Sequence, residues 1–389
     1  MKNKLRVGVI GAGAVVREIY QYLYFQSEYS PLLEICAVAD PNLENRQWFG
    51  NLAKLPENRC FADYKKMLAE VELDAVQINT PDHLHCRPAL DALAAGLDVV
   101  LPKPTAATVK DAHEMTEAAK KARCFLGVDF HKREDPRIKE AEARFKSGRY
   151  GTFQTGVFYM MDKLLVSDPN YSPRFFASPD FAEHNTPVSF LTVHMADALM
   201  KITGLVPAQV RATGYSHKLP SLAPRAVNGY DLVDTEIAFT TGALAHVITG
   251  WALPNTAWAI AVQSGRMICS DGLLDLGLDT PGLREIHASG LSEANPLFRN
   301  FEANGMVGGY GISSPGRLYQ QILAFRNGPA AEYETVAPDF YTTIILEAAE
   351  KSLAEGKKNG AGATRGETID LGNFVREQIG DAAARSYEL

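Results

Sequence analysis

Lys103 and Pro104 follow a short apolar run, Asp98 to Leu101, that reads as a buried strand. A lysine held at a strand end by a proline reaches into the cleft beyond the sheet. Gly11 and Gly13 stand where another apolar run, Leu5 to Ile10, passes into a helical pattern. The first glycine permits a tight turn. The second lets the backbone approach a pyrophosphate at the helix N-terminus, which Ala14 and Val15 open. The third position of this GxGxxG-like pattern is Val16, a position that serves packing rather than phosphate contact. Asp40 closes the next strand, where a carboxylate accepts both ribose hydroxyls of an adenosine; a helix-capping role competes. Like charge at Asp40 disfavours a 2′-phosphate, so the pattern favours NAD over NADP, with Arg46 close enough to keep NADP as the alternative.

The elements that must position these residues alternate. Strands are expected at 5–10, 33–39, 75–79, 98–101 and 125–128, with helices at 14–29, 64–70, 87–95 and 109–123 between them. Such alternation implies right-handed crossovers and a doubly wound parallel sheet. After about residue 129 the pattern changes. A charged helix at 136–147 precedes longer strands at 152–161, 208–215, 234–239, 243–251 and 258–263, interrupted by a helix near 190–202; a last helix is expected at 341–355. The expected fold is an α/β Rossmann doubly wound parallel sheet plus an α+β domain with an open, mainly antiparallel sheet. The expected domains are 1–128 and 129–389. The stretch 278–316, rich in Gly, Asn and Pro, reads as a long loop.

The bulk properties exclude several classes. A chain of 389 residues is too long for one ordinary core, which predicts two domains. Net charge is −7 without a basic cluster, which argues against a nucleic-acid partner. The apolar runs are too short to span a bilayer, so no membrane is expected. The N-terminal run resembles a signal peptide only superficially, because glycines interrupt it and Arg17 and Glu18 follow at once. Five cysteines, with no CxxC pair, suit a reducing cytoplasm and small buried side chains. His83 and His85 lack a third ligand in the pattern, so no metal is expected.

The motifs also come in a familiar order. GAG at 11–13, AD at 39–40, TPxxxH at 80–85, AxxAG at 92–96 and KPxA at 103–106 resemble the glucose–fructose oxidoreductase and inositol dehydrogenase family, Gfo/Idh/MocA. FHKREDP at 130–136 with GRYG at 148–151, and HMAD at 194–197 with ITG at 202–204, are similar to that family's domain-crossing segment and catalytic helix; NP at 295–296 and GYG at 309–311 are similar to some members. The resemblance implies a Rossmann domain joined to a second domain, with substrate between them, and association into dimers or tetramers through the open sheet. It implies a sugar, sugar acid, inositol or related polyol as the small-molecule substrate.

Oxidising a carbinol needs a hydride path to a nicotinamide and a proton path from the hydroxyl. The resemblance implies that Lys103 binds the reacting hydroxyl and that His194 completes the proton path, a task that suits imidazole because the unperturbed ring titrates near neutrality. It carries cofactor contact to Asn79, Thr80 and Pro81, although a simple turn also explains Thr80 and Pro81. His85 matches a family histidine, with packing or an N-terminal hydrogen bond competing with cofactor contact. His131 falls where relatives have Asn beside the nicotinamide. Lys132, with His131, His184 and Asp197, is a candidate substrate group, against a solvated charge run for Lys132 and a helix-surface role for Asp197. Two positions depart from the family: Pro102 replaces its Glu, and Phe190 its Asp. Asp180, Glu183 and His184 lie on a loop that offers replacement groups. Two rival readings remain: a redox-neutral NAD-dependent reaction such as glycoside cleavage or epimerisation, and a non-catalytic NAD or sugar sensor.

Overall fold

The computed structural model describes residues 4–173, 180–257, 259–278, 283–287, 290–294, 300–301, 307–308, 310–327, 337–359 and 362–389. The chain divides into two compact units, one of Met1–Asp135 with Leu297–Phe340 and one of Pro136–Pro296 with Tyr341–Leu389.

The first unit is built on six parallel strands: β1 (Leu5–Ile10), β2 (Leu33–Ala39), β3 (Cys60–Phe61), β4 (Ala75–Ile78), β5 (Asp98–Pro102) and β6 (Leu126–Asp129). Their order is β3-β2-β1-β4-β5-β6, the doubly wound arrangement expected. Every residue of β4 and β6 is buried, which is why these strands read as mainly apolar runs rather than alternating ones. The connecting helices are α1 (Gln21–Phe25), α2 (Leu43–Leu52), α3 (Tyr64–Glu70), α4 (Cys86–Ala94) and α5 (Val109–Ala122). Side chains place their starts: Asn42, Asp63 and Thr108 accept backbone N–H bonds at the N-caps of α2, α3 and α5.

Two features differ from the expected elements. The helix expected over 14–29 is interrupted by a π-helical turn, Val16–Tyr20, and gives way after Phe25 to a short 3₁₀ turn at Ser30–Leu32. The larger difference lies at the end of the expected long loop. A helix, α9 (Tyr310–Asn327), forms there and packs into the first unit, so that unit is discontinuous rather than confined to 1–128. Its glycines and Pro315 disguise a helix that tertiary packing stabilises. A Cβ on Gly316 would overlap the Tyr29 ring, so glycine permits the close approach. Arg326 on α9 then bonds Asp98 at 2.5 Å, at the start of β5, and Asp74 at 3.4 Å, just before β4. Arg6 of β1 holds the same Asp74 through two bonds of 3.0 Å. The amino end of the sheet is closed by this ion cluster. In the same segment, β15 (Asn300–Phe301) and β16 (Val307–Gly308) pair as a short ladder.

The second unit opens with α6 (Pro136–Lys146) and β7 (Phe153–Lys163). It continues through α7 (Phe181–His184), α8 (Val193–Thr203), β8 (Pro207–Tyr215), β9 (Leu232–Phe239), β10 (Leu244–Leu253), β11 (Ala261–Cys269), β12 (Gly272–Gly277), β13 (Leu283–His287) and β14 (Gly290–Ala294). After α10 (Ala337–Ala354), whose first residues belong to the first unit, come β17 (Lys357–Lys358), β18 (Ala363–Arg365), β19 (Ile369–Asp370), α11 (Leu371–Ile379) and α12 (Asp381–Arg385). The sheet runs β14-β13-β12-β11-β7-β10-β9-β8-β18-β17, and among the described residues only the β7–β10 pair is parallel. Burial alternates along β9, so one face is covered. Val157 and Ile268 remain 42% and 43% exposed, so the other face is open as expected.

Removing the guanidinium that joins α9 to the sheet would leave two largely buried carboxylates short of a partner. We expect Arg326→Met to destabilise the first unit by about 2–4 kcal/mol, read as a lower denaturant midpoint for the full chain, with Arg326→Lys recovering part of the loss.

Candidate dinucleotide and active site

The site is built at the carboxyl ends of the parallel strands. Gly11 has φ of 85° and its N–H donates to the Ala39 carbonyl at 2.8 Å, so β1 turns sharply against the end of β2. A Cβ at Gly11 would lie 2.9 Å from the Asn79 carbonyl oxygen, which makes glycine necessary. Gly13 differs: a Cβ there would meet nothing within 4 Å. The packing of the described chain therefore does not require that glycine, and the open space above it fits the approach of a phosphate to the helix opened by Ala14 and Val15.

Asp40, almost fully buried, ties this turn to the next strand. Its Oδ2 accepts the Ala12 N–H at 2.8 Å and its Oδ1 accepts the Asn42 N–H at 2.8 Å. The carboxylate is thus fixed by backbone donors of the two flanking turns, whereas the N-cap of α2 is Asn42, so these contacts do not describe the helix-capping role weighed for Asp40. Arg46 donates to the Asp40 backbone carbonyl at 2.6 Å.

Asn79, just past β4, donates through Nδ2 to the Gly11 carbonyl at 3.1 Å and accepts from Gln77 Nε2 at 3.2 Å. Gln77 Oε1 in turn accepts the Tyr319 hydroxyl of α9 at 2.7 Å. Neither Gln77 nor Tyr319 stands out in the residue pattern, because their partners are 2 and 242 positions away.

His85 is fully buried. Its Nδ1 lies 3.0 Å from the Pro104 carbonyl oxygen and its Nε2 3.0 Å from the Thr80 carbonyl oxygen. The ring braces the segment after β4 against the segment that carries Lys103, whose peptide bond to Pro104 is cis. Burial lowers the His85 pKa, while Asp82 and the carbonyl oxygens act in the opposite direction. Of the roles weighed for His85, these contacts describe packing and hydrogen bonding. Pro81 is exposed and opens a 3₁₀ turn, Asp82–Leu84.

Beyond this brace, Thr80 Oγ1, Asp82 Oδ2, Thr105 Oγ1 and Asp129 Oδ1 are buried without a hydrogen-bond partner among the described residues. Three of them follow or end β4, β5 and β6. Unsatisfied polar atoms are costly, so their concentration at this sheet edge fits a polar ligand rather than a sealed core. Asp129 is not singled out by the sequence pattern; its one signal is an acidic residue at the end of an apolar strand. Burial pushes its carboxyl up to about 6, against Ser314, Tyr20 and Lys103, which favour the charged form. His131, on the 3₁₀ turn His131–Glu134, is held well below its ordinary value by burial and then by the positive charges of Lys132 and Lys103. Lys132 is buried rather than solvated, and Arg133 pairs with Asp339 at 2.6 Å.

In the second unit, α8 is buried on all sides, which includes His194 and Asp197. Asp197 is therefore not on a helix surface. Phe190 belongs to an aromatic cluster, 5.1 Å from Phe181 and 5.8 Å from Trp251 between ring centroids. The indole N–H of Trp251 is buried without a partner among the described residues. Arg225 binds both Asp180 and Glu183, at 2.6 Å to Glu183, so these carboxylates are engaged; His184 is exposed. The Asn295–Pro296 pair and Gly309 lie outside the described residues. Among the described residues, Cys86, Asp111 and Glu114 bring metal-ligand atoms within 4.8 Å of one another. The Cys86 thiol is pushed up to about 12 by burial and the two carboxylates, which disfavours the thiolate that a metal would require.

The raised Asp129 carboxyl has a thermodynamic signature. The folded state binds this proton more tightly than the unfolded state, so its stabilising effect is complete below about pH 4 and lost as pH rises through about 6. The Asp129→Asn variant lacks this loss. Its stability relative to the parent is expected to increase by up to about 3 kcal/mol between pH 4 and pH 7, measured by denaturant unfolding across that range.

Comparison with known proteins agrees with this architecture. Residues 5–130 match the GFO_IDH_MocA family, described as an oxidoreductase family with an NAD-binding Rossmann fold. The chain is similar to D-glucoside 3-dehydrogenase of Escherichia coli strain K12, 28% identical over 202 residues, which are 52% of this chain and 55% of that protein. It is similar to rhizopine catabolism protein MocA of Rhizobium meliloti, 26% identical over 54% of this chain and 60% of the relative. The chain thus spans little more than half the length of these relatives. A solved structure of levoglucosan dehydrogenase in complex with NADH and levoglucosan superposes with a TM-score of 0.74 at 19% identity, covering 95% of this chain and 99% of the other. Scyllo-inositol dehydrogenase from Lactobacillus casei, solved with NAD(H) and scyllo-inositol, gives 0.70 at 15% identity over 95% and 99%. At these identities the likeness establishes the fold.

Proposed function

Taking as premise that the chain belongs to the Gfo/Idh/MocA oxidoreductases, we propose that it oxidises or reduces a hydroxyl-bearing carbon of a sugar, sugar acid or inositol-like polyol, using NAD. The observation that carries this reading is the sheet edge itself, where an open Gly13 turn and unsatisfied polar atoms adjoin the segment that presents Lys103. A bound nicotinamide dinucleotide supplies the hydride acceptor or donor. The turn at 11–13 with Ala14 and Val15 holds its phosphates, Asp40 its ribose, and Asn79, Thr80 and Pro81 line its passage.

Lys103 binds the reacting hydroxyl and exchanges its proton, with His194 as the second proton-handling group. The positive ring of a bound nicotinamide would favour the neutral amine, the form able to accept a proton. His131, held neutral, contributes a hydrogen bond without adding charge; Lys132, Asp197 and His184 are further candidates for the polyol's other hydroxyls. The cofactor's positive ring and a polyol are compatible with such a mixed set. The open face around Val157 and Ile268 supports assembly into a homodimer or homotetramer. Five free cysteines are compatible with a reducing cytoplasm. Among the described residues, no helix is long and apolar enough to cross a membrane.

Lys103→Met is expected to retain NAD binding by calorimetry and to lose at least about 100-fold in turnover on whichever member of a sugar, sugar-acid and inositol panel the parent oxidises. Parental rates in that variant would overturn the assignment. Accumulating NADH absorbance supports net oxidation. Product formed without net NADH would instead favour glycoside cleavage or epimerisation, and tight NAD binding with no turnover across the panel would favour a sensor.

A further inference from the structure

Asp40 stands at the end of β2, where doubly wound sheets read the 2′ position of an adenosine ribose. A carboxylate there takes the 2′-hydroxyl of NAD, and an arginine nearby takes the 2′-phosphate of NADP. In this chain the carboxylate is already engaged. Its Oδ1 accepts the Asn42 N–H at 2.8 Å, and its Oδ2 accepts the Ala12 N–H at 2.8 Å and Asn45 Nδ2 at 3.4 Å. The residue is 7% exposed. Charge-assisted bonds from three donors offset part of the negative charge that an open carboxylate would turn against a phosphate.

Two guanidiniums close around it. Arg46, on α2, donates from Nη1 to the Asp40 carbonyl at 2.6 Å and to the Pro41 carbonyl at 3.4 Å. Arg17, on the π-helical turn after the glycine turn, donates from Nη2 to Asn45 Oδ1 at 3.2 Å, and Asn45 is the residue that reaches the Asp40 carboxylate. Its guanidinium also lies over the Trp48 ring, 4.0 Å from the centroid. Arg46 thus touches Asp40 itself, and Arg17 reaches it through one amide. What both lack is a counter-charge. Neither forms an ion pair with a carboxylate among the described residues, whereas Arg6, Arg225 and Arg326 do. Their donors are only partly used: Nε and Nη1 of Arg17, and Nε and Nη2 of Arg46, make no hydrogen bond among the described residues. A half-buried guanidinium, held in place by a ring or a carbonyl and still presenting N–H groups on two nitrogens, suits a phosphate.

We propose that Arg17 and Arg46 form a 2′-phosphate subsite, so that this chain accepts NADP as well as NAD despite the aspartate at the end of β2. Asp40 fastens the glycine turn, and discrimination between the two dinucleotides passes to the arginines around it. One carboxylate and two guanidiniums leave a local excess of positive charge, which a ribose hydroxyl does not use and a 2′-phosphate does. The proposal rests on the reading of the glycine turn as a dinucleotide site, and it extends that reading by naming the side chains that meet the 2′ substituent. Its test reads binding and is independent of turnover.

Calorimetric titration of the full chain with NAD and, separately, with NADP decides the matter. The two dissociation constants are expected to agree within about 10-fold, and the Arg17→Gln, Arg46→Gln double variant is expected to weaken NADP by at least about 10-fold while changing NAD by less than about 3-fold. NAD bound by the parent with NADP more than about 10-fold weaker overturns the subsite and leaves the NAD reading intact. That comparison uses the parent alone, so it holds even where the double variant does not fold. An equal loss of both dinucleotides in the variant also overturns the subsite, because it assigns the two arginines to the fold. Binding of neither dinucleotide by the parent overturns the dinucleotide reading of the glycine turn and the subsite with it.

Discussion

The Gly11 carbonyl accepts a hydrogen bond from Asn79, which is itself held by Gln77, which is held by the Tyr319 hydroxyl. All three bonds are largely buried, and each side-chain amide would otherwise have to be desolvated without compensation, at about 1–3 kcal/mol per lost partner. The first turn is thereby fastened to the middle of the sheet and to a helix more than 300 residues later in the chain. The first strand's end is fastened on the other side by Gly11 N–H to Ala39 and by Ala12 N–H to Asp40. The phosphate-binding role proposed for this turn requires backbone donors in a fixed arrangement, and the turn is held from both neighbouring strands.

The two ends of the parallel sheet obey opposite rules. At the amino end, Arg6, Asp74, Asp98 and Arg326 satisfy one another, and the Asp98 carboxylate also accepts the Phe125 N–H at 2.8 Å. At the carboxyl end, hydroxyl and carboxyl oxygens of Thr80, Thr105 and Asp129 are left without partners among the described residues. Saturated polar groups rigidify, whereas unsaturated ones retain the capacity to bind. The sheet therefore separates saturated from unsaturated polar groups along the length of its strands, and open parallel sheets in general bind ligands at the carboxyl end.

Much of this was legible before the coordinates. The apolar runs at β1, β2, β4, β5 and β6 identify themselves because strands buried on both faces carry little polar interruption. The glycine turn, Asp40 and Lys103 are local in sequence and fall at element ends. What escaped had long-range causes. Helix α9 contains Gly311, Pro315 and Gly316, which speak locally against a helix, and only its packing against Tyr29 and its ion pairs across the sheet explain it. Gln77 looks like a polar flaw in an apolar strand until Tyr319 is placed beside it. Asp129 is legible only once the β5–β6 register puts it next to Pro102. Asp197, weighed as a surface group, is buried because α8 is packed on most of its circumference.

The return of α9 to the first unit also has a consequence for how the protein is made. Residues 1–135 leave the ribosome with Gln77 and the carboxylates of Asp74 and Asp98 still lacking the partners that α9 carries. Those partners emerge about 190 residues later, a delay of roughly 10–40 s at ordinary translation rates. Most of the second unit's sheet is synthesised within that interval. The nascent Rossmann half thus waits, incompletely closed, while the intervening unit acquires its strands, and the two folding programmes are interleaved in time rather than run in sequence from N- to C-terminus.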